Sequence, residues 1–143
     1  MQERTDSMNK LVVPAEIDKL DDVIAFVDTS LEGHEYSDKT LMEIEIAVEE
    51  IFVNIASYAY TPGTGEVSVE TDISGKPETL TARFIDNGIK YDPLEKDDPN
   101  TRLSVEDTPI GGLGIFMTKA SMDDVIYEYK ENKNILTITK VLC

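Results

Sequence analysis

Glu50 and Asn54 are the polar pair with the clearest chemical potential on a predicted helix of this chain. They are four residues apart and therefore lie next to each other on one helix face. A carboxylate and an amide oxygen placed in this way can share one hydrated magnesium ion, which usually takes one or two protein oxygens together with substrate phosphates. Glu50 could instead act as a general base. A third reading is an ordinary polar helix face that is wetted by solvent.

Asp86 follows a predicted apolar strand over 80–85 and precedes Asn87 and Gly88. A carboxylate at a strand end can accept a hydrogen bond from an exocyclic amine such as that of adenine. Gly88 would let a flat ring approach the backbone, or would adopt a positive φ. The alternative is a plain Asp-Asn-Gly turn, because these residue types are common in turns.

A glycine-rich segment made of Gly111, Gly112, Leu113 and Gly114 leads directly into a predicted short helix over 115–122. Free N–H groups and the positive end of the helix dipole at such a junction favour phosphate. The spacing fits neither a Walker motif nor a dinucleotide-binding motif. A flexible hinge remains the alternative interpretation of these glycines.

The periodicity of the apolar residues predicts the elements that would position these groups. Spacings of three and four predict one helix over 17–31 and a second from Ser37 or Asp38 to about Tyr60. Short β-branched or alternating runs predict five strands, which cover 10–13, 66–73, 80–85, 125–129 and 135–141. We therefore expect an α+β fold, a two-layer sandwich with helices on one face of a mixed, mostly antiparallel sheet.

Composition limits the kinds of partner and compartment. The chain has 143 residues and is expected to form one domain over 1–143. Its net charge of −16 argues against nucleic acid or an anionic membrane as a partner. The acidic residues form either a solvated surface or a docking site for a basic protein surface. A polar start and a single cysteine, Cys143, favour a cytoplasmic protein.

Three stretches in this order resemble the Bergerat-type ATPases and, more narrowly, the anti-sigma-factor serine kinases of bacteria. They are EIAVEEIFVNIASYAY, RFIDNGIKYDP and IGGLGIFMTKASMDDVIYEY. The resemblance covers essentially the whole chain and implies the Bergerat ATP-binding fold, with ATP or ADP and Mg²⁺ as ligands. It implies a sigma factor and a small anti-anti-sigma protein of the STAS type as partners. A homodimer is a further expectation from the relatives.

The resemblance also assigns roles to the motif residues by position. Glu50 would be the general base that activates the acceptor serine, and Asn54 would hold Mg²⁺ against the phosphates. Asp86 would bind the adenine amine, with Gly88 beside the ring. Tyr91 would belong to the turn that opens a flexible lid over the nucleotide.

The lid itself would cover about 89–111, with mobility expected over 93–108. The glycine-rich segment 111–114 would then bind the phosphates, with Gly112 and Gly114 in contact with them and Gly111 supporting the shape of the loop.

The chain departs from the pattern of these kinases at several positions. Tyr58 stands where many relatives have His, and Tyr91 replaces a common Phe. Thr108 stands where relatives often have Arg, which removes a charge that could stabilise the transferring phosphoryl group. Lys90 and Arg102 in the lid region are the candidates to replace that charge.

Two functions therefore compete. The first is an anti-sigma factor that phosphorylates a serine or threonine on an anti-anti-sigma protein, which the presence of Glu50 favours. The second is a non-catalytic, nucleotide-dependent module that sequesters a regulatory partner, which Thr108 favours. The ATPase half of a two-component sensor and the ATP-driven gate of a topoisomerase or chaperone are less favoured, since no phosphoacceptor hairpin or transducer domain is recognisable in the sequence.

Overall fold

The computed structural model describes residues 9–60, 63–93 and 118–142. Two helices, α1 and α2, are described over their full length, and a short 3₁₀ turn over Ile17–Lys19 leads into the first of them. The helices cover Leu20–Ser30 (α1) and Asp38–Tyr58 (α2). The strands cover Asn9–Pro14 (β1), Glu66–Ser74 (β2), Thr79–Asp86 (β3), Asp124–Lys130 (β4) and Lys133–Val141 (β5).

The five strands form one sheet in the order β1-β2-β3-β5-β4. The sequence predicts a mixed, mostly antiparallel sheet, and all four pairings among the described strands are antiparallel. The central pairing joins β3 to β5, and its register places Asp86 opposite Asn134. Two residues that are far apart in sequence therefore face each other at the end of β3.

The core lies between the sheet and the two helices. Alternate residues of β2, β3 and β5 are buried, as expected for strands with one covered face. The buried strand residues include Val67, Val69, Leu80, Ala82, Phe84, Leu136 and Ile138. They pack in one cluster with helix residues that include Val23, Val27, Ile44, Val48, Ile51 and Phe52. The predicted α+β sandwich with helices on one sheet face is confirmed.

Helix α2 begins where the sequence predicts. The Ser37 side chain caps it by accepting a hydrogen bond from the Thr40 backbone N–H at 3.0 Å. The helix ends at Tyr58, slightly earlier than predicted. Tyr60 then fixes the chain, because its hydroxyl donates to the Glu66 carbonyl at 2.7 Å and accepts from the Asn87 N–H at 2.8 Å. The end of α2 is therefore held beside the end of β3.

The last hairpin differs from the prediction. The sequence suggests a turn over 132–134, but the turn residues are Glu131 and Asn132, with φ of 55° and 63°. Two consecutive residues with positive φ suit a two-residue hairpin whose twist matches that of the strands. Lys133 and Asn134 belong to β5 instead. This shift places the Asn134 side chain in the interior, where it is 7% exposed.

Residues 118–121 are helical, in agreement with the predicted helix over 115–122, whose start lies outside the described residues. Lys140 ties the end of this segment to α2, because its Nζ lies 2.7 Å from the Ser121 carbonyl and 2.9 Å from Glu43 Oε1. The expected lid is described only over 89–93, so its predicted mobility remains a prediction. In the described ranges, no helix is long and apolar enough to cross a membrane.

Candidate functional site

A pocket of about 430 Å³, including its open mouth, lies between α2 and the β3, β4 and β5 strands. Most of its wall is apolar or aromatic, with Ile51, Ile55, Ala59, Phe84, Tyr91, Pro93, Tyr127 and Leu136. Its polar residues are Asn54, Asp86 and Asn134. The pocket thus combines flat apolar walls with a few convergent polar groups.

Asn54 lies inside this pocket, on α2. It is 9% exposed, so the interpretation of a solvated helix face is wrong for this residue. Its Nδ2 donates to Glu50 Oε2 at 3.4 Å, which is longer than a typical hydrogen bond of this kind. Within the described residues the Asn54 side chain is therefore held loosely, and it could turn its amide oxygen towards a ligand.

Glu50 lies one helical turn before Asn54 and is half-buried. Burial raises the pKa of the Glu50 carboxyl above its usual value, and the neighbouring Glu49 carboxylate raises it further. A raised pKa makes the carboxylate a stronger base, which suits a group that takes a proton near neutral pH. Glu50 can therefore hold a proton next to Asn54, which lines the pocket.

Asp86 is 5% exposed and is held by two donors at the same oxygen. Its Oδ1 accepts from the Gly88 backbone N–H at 2.8 Å and from Asn134 Nδ2 at 2.9 Å. Burial raises the pKa of the Asp86 carboxyl, whereas the hydrogen bonds from Asn134 and Gly88 lower it. The Asp-Asn-Gly turn is present, but its carboxylate also forms part of the pocket wall.

Gly88 is required by packing against the end of α2. A Cβ added at this position would lie 2.2 Å from the Ala59 carbonyl oxygen and 2.6 Å from its carbonyl carbon. The alternative that Gly88 adopts a positive φ is wrong, since the described glycines with positive φ are Gly33 and Gly75. The close approach seen in the structure is to the backbone of Ala59.

Tyr91 lines the pocket mouth beside Tyr58. Their ring centroids are 6.3 Å apart, so the tyrosine that replaces the expected histidine pairs with the first aromatic residue of the lid region. Lys90 points elsewhere, with its Nζ 5.4 Å from the centre of the Tyr129 ring. This cation–π contact engages one of the two cations considered as replacements for the missing arginine. Arg102, the other, lies outside the described residues.

Asn134 is the site residue that the sequence interpretation missed. Its Nδ2 donates to Asp86 Oδ1 and, at 3.0 Å, to the Ile89 carbonyl. The alternation of Asn134, Leu136 and Ile138 could have revealed it, because residues two apart share one face of a strand. Assignment of Asn134 to the turn concealed that pattern.

The structure brings five of the predicted site residues to one place. Asn54, Asp86 and Tyr91 line the pocket, while Glu50 and Gly88 are directly bonded or adjacent to its lining residues. The predicted phosphate-binding residues Gly111, Gly112, Leu113 and Gly114 lie outside the described residues.

The family match and the similar proteins agree on one protein family. Residues 13–140 match the profile of the histidine kinase-like ATPase domain. The chain is 26% identical over 104 residues to the serine/threonine-protein kinase BtrW of Bordetella bronchiseptica, an alignment that covers 73% of this chain and 72% of that protein.

Two further relatives are named serine-protein kinase RsbW. The protein from Bacillus cereus is 26% identical over 113 residues, covering 73% of this chain and 65% of its own length. The protein from Listeria innocua is 31% identical over 106 residues, covering 71% of this chain and 66% of its own length. The chain thus spans just under two thirds of the length of these two relatives.

Proposed function

Because this chain belongs to the histidine kinase-like ATPase domain family, we propose that it binds Mg-ATP and phosphorylates a serine or threonine of a partner protein. The partner is a small anti-anti-sigma protein of the STAS type, and the chain also binds a sigma factor as an anti-sigma factor. The kinase names of the relatives support this proposal. The observation that carries it is that Asn54 and Asp86 line one pocket, with Glu50 one helical turn from Asn54.

In this proposal Asp86 recognises the adenine base of ATP. Both of its hydrogen bonds within the described residues engage Oδ1, so Oδ2 can accept the exocyclic amine of adenine. Phe84, Ile55 and Leu136 supply the apolar surface that a flat ring needs. Tyr91 lies at the mouth, where it would cover the edge of the base or sugar.

Magnesium fits the residues present. The described part of the chain contains no group of three or more His, Cys, Asp or Glu side chains that could hold a metal alone. Mg²⁺ does not require such a cage, since it keeps several waters and binds through one or two protein oxygens plus phosphates. Asn54 would supply one such oxygen, because among the described residues its amide is held only by the 3.4 Å contact to Glu50. The bound metal would neutralise charge on the phosphates.

Phosphoryl transfer would use Glu50 as the general base. As the acceptor hydroxyl oxygen forms its bond to the γ-phosphorus, the bond from that phosphorus to the bridging oxygen breaks and ADP leaves. The hydroxyl proton passes to the Glu50 carboxylate. The raised pKa of Glu50 favours this step, because a more basic carboxylate takes the proton more readily.

The remaining assignments are part of the same proposal. Gly111, Gly112, Leu113 and Gly114 bind the phosphates, residues from about 89 to 111 form the lid, and the chain works as one domain. The nucleotide state of the site would decide which protein partner is held, because a ligand shifts a conformational equilibrium only through its differential affinity for the two states.

A non-catalytic binding module is the second candidate. Thr108 in place of the common Arg favours it, and so does the engagement of Lys90 with Tyr129. In this case ATP is a ligand that controls partner binding, and Glu50 has no chemical role.

The experiment that separates the two candidates is transfer of labelled γ-phosphate to a purified STAS-type partner encoded by the same organism. Glu50→Gln should lower the transfer rate at least about hundredfold, as expected for loss of a general base, while ATP affinity changes little. Glu35→Gln is the control, because Glu35 is an exposed acidic residue away from the pocket lining. No transfer by the unmodified protein would contradict the kinase proposal. Measurable and equal transfer rates in Glu50→Gln and the unmodified protein would contradict the role of Glu50 as the general base.

A further inference from the structure

The Asn134 side chain is the central connection of the pocket. Besides its bonds to Asp86 and Ile89, its Oδ1 accepts from the Tyr91 backbone N–H at 3.2 Å and from the Tyr127 hydroxyl. One buried amide therefore joins the end of β3, the segment that follows it, and the neighbouring strand β4. The side chain is 7% exposed, so the network is shielded from bulk water.

The orientation of this amide follows from its partners. Its NH₂ group faces three acceptors, which are Asp86 Oδ1, the Ile89 carbonyl and, at 3.5 Å, the Gly88 carbonyl. Its oxygen faces the Tyr91 N–H and the Tyr127 hydroxyl. A flipped amide would place oxygen against oxygen on one side and N–H against N–H on the other. Because the Asp86 and Ile89 oxygens only accept and the Tyr91 N–H only donates, only one orientation satisfies the network, and in it the Tyr127 hydroxyl is a donor.

This orientation determines the hydrogen-bonding character of Asp86. Two N–H donors converge on its Oδ1, and donors stabilise the ionised form of a carboxylate. An ionised carboxylate can only accept hydrogen bonds, whereas a protonated one can also donate. A purine with a 6-amino group presents a donor, and a purine with a 6-oxo group presents an acceptor. The ionised form of Asp86 therefore favours the amine.

We propose that Asn134 is a positioning residue that holds Asp86 as a hydrogen-bond acceptor and thereby makes the site select 6-amino purine nucleotides over 6-oxo purine nucleotides. This inference rests on the proposed nucleotide site but not on phosphoryl transfer. It differs from a purely structural role because it predicts a change in selectivity and in pH dependence, not only in affinity.

The direction of the pH dependence follows from the charges around Asp86. Burial raises the pKa of this carboxyl, and the Asn134 hydrogen bond is the larger of the two effects that lower it. Asn134 on β5 and the Gly88 N–H donate to it, and the titratable groups that interact electrostatically with it are Tyr127 on β4 and Tyr60 after α2. Loss of the Asn134 amide would raise the pKa of Asp86 further. ATP affinity of such a variant would then weaken on acidification at a higher pH than in the unmodified protein.

The test compares calorimetric binding of Mg-ATP and Mg-ITP between pH 6 and pH 9, since ITP carries a 6-oxo group in place of the amine. In Asn134→Ala, the ratio of ATP to ITP affinity at pH 6 should fall about tenfold, as expected for loss of a hydrogen bond to a charged group. The ratio should recover towards pH 9. Asn134→Asp is a similar-sized second variant that replaces the donor with an acceptor, and it should lower the ratio further.

Two controls isolate the role of Asn134. Asn87→Ala removes an exposed amide next to Asp86 and should leave the ratio unchanged. In an Asp86→Asn background, Asn134→Ala should have no additional effect on the ratio, because a residue that acts through Asp86 has nothing left to position.

Three outcomes would decide whether Asn134 has this role. Equal losses of ATP and ITP affinity at every pH in both folded Asn134 variants would overturn the inference and leave Asn134 as a structural residue. Intact, Asn134-dependent selectivity in a protein that transfers no phosphate would support the inference and overturn only the kinase proposal. Absence of ATP binding by the unmodified protein would overturn both.

Discussion

The backbone of Ala59, at the end of α2, lies directly against Gly88, just after β3. The two segments are also joined by a hydrogen bond from the Ile89 N–H to the Ala59 carbonyl at 2.8 Å. A side chain on Gly88 would meet this carbonyl oxygen at 2.2 Å. The contact sets the distance between the helix that carries Asn54 and the strand that carries Asp86.

Gly88→Ala should therefore separate the two halves of the pocket. We expect the free energy of unfolding to fall by about 2 kcal/mol, within the range for overpacking a tight site, together with weaker ATP binding. Urea unfolding and calorimetry would measure the two effects. Gly33→Ala is the control, because its added Cβ meets nothing within 4 Å and only its φ of 86° is unfavourable. Loss of stability in Gly33→Ala with none in Gly88→Ala would contradict this account.

Asp86→Asn should show opposite effects on stability and binding. Burial raises the pKa of Asp86, so protonation is easier in the folded than in the unfolded chain. The stability that this group contributes is then fully present below its unfolded pKa and is lost as pH rises through the folded pKa. A neutral amide avoids this loss. Asp86→Asn should therefore have a higher Tm than the unmodified protein at pH 7, and the difference in Tm should become smaller towards pH 4.

The same variant should bind ATP more weakly, because an amide oxygen is a poorer acceptor than a carboxylate and its NH₂ group can face the adenine amine. Thermal unfolding at several pH values and calorimetry at pH 7 would check both effects. The predicted pH dependence would be contradicted if the Tm difference between Asp86→Asn and the unmodified protein were smaller at pH 7 than at pH 4.

Lys140→Met should release the segment 118–121 from α2. The change removes the ion pair to Glu43 and the hydrogen bond to the Ser121 carbonyl. Because Lys140 and Glu43 are 16% and 23% exposed, we expect a loss of about 1–3 kcal/mol in the free energy of unfolding, as for a hydrogen-bonded charged group. Chemical denaturation would measure it.

Lys130→Met provides the matched comparison for this ion pair. Lys130 lies 3.9 Å from Glu128 and is 64% exposed, and such surface pairs contribute little. A double-mutant cycle of Lys140→Met with Glu43→Gln should show coupling, whereas strictly additive losses would mean that the Lys140–Glu43 pair contributes nothing to stability.

The sequence predicted those elements whose signals are local. Ser37 marks the start of α2, and the spacing of residues such as Ile44, Val48 and Ile51 identifies its buried stripe. Alternation located β2 and β3 because each has one covered face. These patterns depend only on residues near each other in the chain, so no knowledge of the fold was needed.

The features that were missed depend on long-range contacts. Asn132 and Asn134 are the same residue type two positions apart, and only pairing with β4 decides which one enters the turn. The sequence alone allows a positive φ as the reason for Gly88. The actual reason is close packing against Ala59, which is distant in sequence and so gives no local signal. Composition and periodicity carry no information on such contacts, which arise only when the helix and the strands are packed together.

Calorimetric titration of ATP with and without Mg²⁺, on the unmodified protein and on Asn54→Ala, tests the central claim most directly. We expect ATP binding that is strengthened by Mg²⁺, and a loss of most of that strengthening in Asn54→Ala. The contradictory result is equal ATP affinity in the two proteins with no effect of Mg²⁺, or no binding at millimolar ATP. Either would mean that the pocket between Asn54 and Asp86 is not a Mg-ATP site.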